Sequence, residues 1–107
     1  MFYKQDPDGY HSPIKGVEQK TLVYGKKTLM TEFLLKAGSN LPIHQHPHEQ
    51  TGYLVKGKLK MFIGEKEFIA ESGDCWCIGG DLRHGAEAIE NSVAVEIFAP
   101  VREEYIP

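Results

Sequence analysis

The chain has 107 residues, 41% of them hydrophobic and 25% charged, with a formal net charge of −3. That is ordinary for a soluble globular protein and enough for one domain with one small core. The acidic balance excludes the clustered Lys and Arg of a nucleic-acid surface and gives no reason to expect an anionic membrane partner.

Residues 1–16 are polar, with two prolines and two glycines. No apolar run approaches the ~18 residues that span a bilayer. Without an apolar leader stretch the chain is expected to be cytoplasmic. After this head come short β-prone runs, each closed by a turn signal. Residues 17–24 end at Gly25-Lys26-Lys27, and 28–36 at Ala37-Gly38-Ser39-Asn40. Residues 51–56 end at Gly57, 58–63 at Gly64-Glu65-Lys66, and 67–70 near Ser72-Gly73-Asp74. Residues 75–78 end at Gly79-Gly80-Asp81, 84–89 at Glu90-Asn91, and 92–99 at Pro100. No stretch sustains a 3.6-residue period, so the prediction is all-β, a sandwich or barrel with little helix. Residues 1–16 and 100–107 read as arms lying over it.

Two runs alternate clearly. Lys58, Lys60 and Phe62 oppose Leu59, Met61 and Ile63; Ala94, Glu96 and Phe98 oppose Val93, Val95 and Ile97. Glu96 and Phe98 share a face that need not meet solvent, because a small barrel holding a ligand has a partly polar interior. The outer faces of 28–36 and 92–98 are expected to be apolar, through Leu29, Phe33 and Leu35 and through Val93, Val95 and Ile97. They would suit a second sheet layer or a partner. Cys75 and Cys77 share a strand face, with Cα atoms roughly 6.5–7 Å apart, at or past the limit of an unstrained disulfide. They are predicted to be small buried core thiols, with a soft-metal or redox role as the alternative.

The histidines carry the chemistry. His44, His46 and His48 fall within five positions, and His84 lies in a Gly-rich region about forty residues on. On a strand, His44 and His46 would share a face. Two such imidazoles and a distant third make half of a metal site. His48 reads as a surface group or one behind the ligands, and His11 as solvated.

These residues sit in a glycine framework. Gly38, His44, His46, Gln50 and Gly57 are separated by five, one, three and six residues; Gly73, Gly79, Asp81 and His84 follow. Over residues 38–88 this resembles the two motifs of the cupin family. The resemblance implies a single-domain jelly-roll barrel of the double-stranded β-helix type. It also implies one divalent transition metal (Ni, Fe, Zn or Mn) held by His44, His46, His84 and position 50. Gln50 stands where a glutamate is usual, Gly79 where a proline is, Asp81 where a glycine is and Ala88 where an asparagine is. An amide ligand is neutral and would leave the ion its full +2 charge. Gln50 could instead leave an open position, and Glu49 is a rival ligand, although on a continuous strand it faces away from His46.

A closer resemblance lies in His44-Gln45-His46-Pro47-His48-Glu49-Gln50, then Gly52-Tyr53, and Phe98-Ala99-Pro100-Val101-Arg102-Glu103-Glu104. These strings are similar to the pectin-degradation cupins of the KdgF type. That implies a three-His, one-Gln metal site and an enzyme that linearises or isomerises a 4,5-unsaturated uronate. It further implies catalytic roles for Glu96, in place of the family's Asp, and Arg102, with Phe98 lining the pocket. Tyr53 is a core or pocket-rim residue, placed with Phe98 at the substrate pocket. The resemblance also implies a homodimer and a small sugar-acid or carboxylate partner. A metal-dependent oxygenase and a non-catalytic small-molecule sensor are the alternative functions.

Overall fold

The computed structural model describes residues 1–107. Ten strands follow one another: β1 (His11–Ile14), β2 (Val17–Tyr24), β3 (Leu29–Leu35), β4 (Asn40–His44), β5 (Glu49–Lys56), β6 (Lys58–Ile63), β7 (Lys66–Glu71), β8 (Cys75–Ile78), β9 (His84–Ala88) and β10 (Ser92–Ala99). They form two sheets with antiparallel pairing throughout. One has the order β1-β2-β3-β10-β5-β8 and the other β4-β9-β6-β7. One short 3₁₀ turn, Glu103–Tyr105, follows. The predicted all-β barrel with little helix is the observed architecture.

The core follows the two-residue period of the strands. Val17, Phe33, Leu35, Leu54, Leu59 and Met61 meet four alanines, Ala70, Ala86, Ala88 and Ala94. The small side chains let the larger ones interdigitate at close-packed density. Burying each large apolar side chain contributes about 1.5–3 kcal/mol. Lys58 and Lys60 sit opposite Leu59 and Met61, as their alternation predicts. On β10, Ser92, Ala94, Glu96 and Phe98 are buried and Val93, Val95 and Ile97 lie half-covered outside.

Several expectations are corrected. Residues 11–14 of the predicted arm form β1, and residues 40–44 form β4. Both are sheet-edge strands with a proline inside, Pro13 and Pro42. Proline cannot donate to a ladder and is tolerated at an edge, so it hides an edge strand from a propensity reading. Leu29, Phe33 and Leu35 face the interior rather than an outer surface. Strand β3 carries apolar residues on both faces, so alternation alone leaves its orientation open. Register decides it: Phe33 pairs with Ala94 and Leu35 with Ser92. Cys75 and Cys77 are exposed, not core thiols, because Trp76 between them takes the inward position. No helix is long and apolar enough to cross a membrane.

The β5–β6 turn pivots on Gly57, whose φ is 110°. A Cβ there would lie 2.2 Å from Ser92 Oγ and 2.6 Å from Asn91 O. Gly73 has a similar φ of 94° but open space around it. Gly57→Ala should therefore cost about 2–4 kcal/mol, backbone strain plus overpacking. Gly73→Ala should cost only the strain, about 1–2 kcal/mol. Thermal melts check this: Gly57→Ala should lower Tm well below Gly73→Ala, and equal shifts would refute the steric term.

Candidate metal centre

Toward one end of the barrel the inward positions turn polar. Along β10 they run Ala94, Glu96, Phe98, and along β5 Leu54, Gly52, Gln50. Strand β4 ends at His44, which pairs with His84 at the start of β9. His46 is not on a strand with His44, as the i, i+2 spacing predicts; it lies in the β4–β5 connection. Its neighbour segment is held by the β8–β9 loop, where the Asp81 N–H donates to the His46 carbonyl at 2.7 Å. Asp81, in the usual glycine position, still adopts a left-handed φ of 61°, which Asp tolerates better than most residues. At Gly80 a Cβ would lie 2.5 Å from Pro47 O, so this close approach requires glycine.

The three side chains converge. Donor atoms of His44, His46 and His84 all lie within 4.8 Å of one another. The His44 and His84 rings are 4.3 Å apart, and the His46 and His84 rings 4.9 Å. His44 Nδ1 meets the Pro42 carbonyl and His84 Nδ1 the Leu82 carbonyl, each at 2.8 Å. A backbone carbonyl accepts only from Nδ1–H, so each Nε2 keeps its lone pair. His84 Nε2 is buried without a hydrogen-bond partner. Burial, then the Arg102 charge, lowers the His46 pKa to about 4; burial also lowers that of His84. Neutral imidazoles with an orphaned buried nitrogen fit a divalent transition-metal ion.

Gln50 is buried and Glu49 exposed, so the inward residue of the pair is Gln50. Gln50 Oε1 lies 3.0 Å from His46 Nε2, and Gln50 Nε2 donates to Glu96 Oε2 at 2.8 Å. Trp76 donates its Nε1–H to Glu96 Oε1 at 2.8 Å and lies 3.2 Å from Oε2. Burial raises the Glu96 pKa to about 7, against the lowering effect of the Gln50 and Trp76 hydrogen bonds.

A cavity of about 270 Å³ opens beside these groups. Its polar wall includes His44, Gln50, His84, Glu96 and Arg102, and its inner wall includes Phe33, Leu59, Met61 and Ala86. Phe98 lines it, but Tyr53 does not: Tyr53 is 47% exposed on the outer face of β5. The Arg102 guanidinium lies 4.2 Å from the Tyr105 ring centre and 5.1 Å from that of Phe98. Arg102 Nε is buried without a hydrogen bond, with exposed Glu104 at 3.5 Å. Tyr105, which sequence reading passed over, packs edge-on to Phe98 at 5.4 Å, and its carbonyl accepts from Thr21 Oγ1. Gln19 also reaches this wall, with Nε2 unpartnered. His48 has its ring 5.5 Å from that of His46, outside the three-histidine group, and His11 is exposed.

The comparisons agree with this fold. KdgF from Halomonas sp. superposes with a TM-score of 0.93 at 23% identity, over 99% of this chain and 100% of that one. An RmlC-like cupin from Shewanella frigidimarina gives 0.88 at 19% identity, over 94% and 90%. A predicted oxalate decarboxylase from Thermotoga maritima gives 0.80 at 18%, over 94% and 99%. No protein of curated function matches the sequence. The cupin domain family matches residues 31–99, which include every histidine of the cluster, and with the two-sheet barrel around them the chain belongs to the cupins.

Proposed function

We propose that the protein is a metal-dependent enzyme that opens and isomerises a 4,5-unsaturated uronate monosaccharide. The observation that carries this reading is that Arg102, Glu96 and two histidines of the cluster, His44 and His84, line one cavity. The likeness of the His44–Gln50 and Phe98–Glu104 strings to the KdgF type supports it, as does the fold likeness to KdgF.

His44, His46, His84 and Gln50 would hold the metal, which when bound supplies Lewis-acid stabilisation of developing oxyanion charge. Arg102 is a permanent cation whose buried Nε makes no hydrogen bond and has only the exposed Glu104 carboxylate nearby, at 3.5 Å, which suits it to a substrate carboxylate. Phe98 and Tyr105 lie against the guanidinium and limit its swing. In the reaction the bond from C1 to the ring oxygen breaks and the C1 hydroxyl loses its proton. A proton is added at C4, so the enol ether becomes an open-chain aldehyde and ketone with no net change in composition. Glu96, with its pKa raised to about 7, takes and returns a proton near neutrality. The apolar inner wall excludes water from the reacting face.

Two outcomes test this. Metal-loaded protein should consume the conjugated double bond of unsaturated galacturonate, followed by its ultraviolet absorbance, and a chelator or His84→Ala should abolish the decay. Bound metal with no decay would refute the uronate assignment. Arg102→Ala should lower kcat/KM by about 10²-fold, roughly 3 kcal/mol, mostly through KM. Arg102→Lys should recover only part of that, since an ammonium lacks the planar fork. Unchanged KM in both variants would remove Arg102 from the substrate site.

A further inference from the structure

The hydrogen-bond chain behind the histidines has a direction, and that direction bears on the ligand set whatever the substrate is. A carboxamide has two ends, and only its oxygen can ligate a metal. Which end of Gln50 faces the histidines is therefore decided by what holds the other. Glu96 Oε2 accepts from Gln50 Nε2 at 2.8 Å. Oε2 is the acceptor in this bond, so it takes the NH₂ end and turns Oε1 toward His46, 3.0 Å from Nε2.

Glu96 is itself held. Trp76 Nε1–H, a donor only, meets Oε1 at 2.8 Å and lies 3.2 Å from Oε2. The register makes this possible: Gly52 of β5 pairs with Trp76 of β8 on one side and Glu96 of β10 on the other. A Cβ on Gly52 would lie 2.1 Å from Trp76 Nε1 and 2.6 Å from Glu96 Oε2. Indole and carboxylate thus meet over a strand that has no side chain in the way.

We propose that Glu96 is a positioning residue for the metal centre: held by Trp76, it selects the oxygen-inward orientation of Gln50 and supplies, one hydrogen bond away, the negative charge that a neutral ligand set lacks. The carboxylate has in effect stepped back from the ion by one amide. This role is separate from any proton that Glu96 moves in turnover, and it makes Trp76 and Gly52 part of the metal site's support.

The test is Co(II) affinity of the purified protein, by competition with a chromogenic chelator, with the visible Co(II) spectrum and the metal-free Tm recorded alongside. Glu96→Gln should weaken Co(II) binding about 10- to 100-fold, because an amide at position 96 accepts either end of Gln50 and carries no charge. Trp76→Phe, which keeps the ring and loses the donor, should weaken it about 3- to 10-fold. The exchange Gln50→Glu/Glu96→Gln should restore affinity to within a few-fold of the wild type. Gln50→Glu alone sets two carboxylates face to face and should bind less tightly than the exchange. Wild-type affinity and spectrum in Glu96→Gln would overturn the proposal, as would an exchange no better than Glu96→Gln alone. A lowered metal-free Tm with unchanged affinity would also overturn it, showing a purely structural role. The affinity pattern without uronate turnover would support it and refute only the substrate assignment.

Discussion

The antiparallel pairing of β5 with β10 sets Gln50 opposite Phe98, Gly52 opposite Glu96 and Leu54 opposite Ala94. The first pair sets Gln50 beside the aromatic cavity wall, the second gives the acid its space, and the third fills the core. A slip of one residue would turn Glu49, Thr51 and Tyr53 inward, carry Gln50 away from His46 and leave no space for the acid. The ladder's one irregularity falls between Val93 and Ala94, at the core end, so the three pairs nearest the site keep an unbroken register. The β3–β10 and β5–β8 ladders then bring Thr31 and Trp76 to the same level.

Charge in the cavity is arranged by desolvation as much as by pairing. Burial disfavours the charged form of every titratable group there, so it moves imidazoles and carboxyl in opposite directions. His46 and His84 are pushed toward neutrality, and Glu96 toward protonation near pH 7. Arg102 stays cationic under any such pressure. A cavity that is mostly apolar therefore contains one fixed charge, one negotiable charge and a set of neutral lone pairs. The positive charge of Arg102 is thus fixed in place by the fold, an arrangement that needs little reorganisation.

Much of this was legible in the sequence. The glycine-punctuated runs gave the all-β class, and the His44–His46–Gln50 spacing with His84 gave the cluster. The Glu96–Phe98 alternation pointed to the inward face of β10. Other features depend on tertiary neighbours. The edge strands β1 and β4 are masked by Pro13 and Pro42, and only pairing reveals them. The face of β3 is ambiguous because Met30 and Leu34 are as apolar as Leu29 and Phe33. The exposure of Cys75 and Cys77 follows from where Trp76 goes, and that is decided by a cleared space on Gly52, two strands from Thr31. The cavity side of Tyr105 cannot be read from periodicity, because it belongs to no strand.

Arg102 and Tyr105 both come from segment 100–107, which is anchored to the sheets by few bonds, among them Thr21 to the Tyr105 carbonyl. The histidines and Gln50, by contrast, are locked into ladders or into the Asp81–His46 clasp. Two parts of the cavity's surroundings are thus held to the sheets with different firmness. Substitutions in this short strap can reshape one wall of the cavity while the strands that gather the histidines remain untouched.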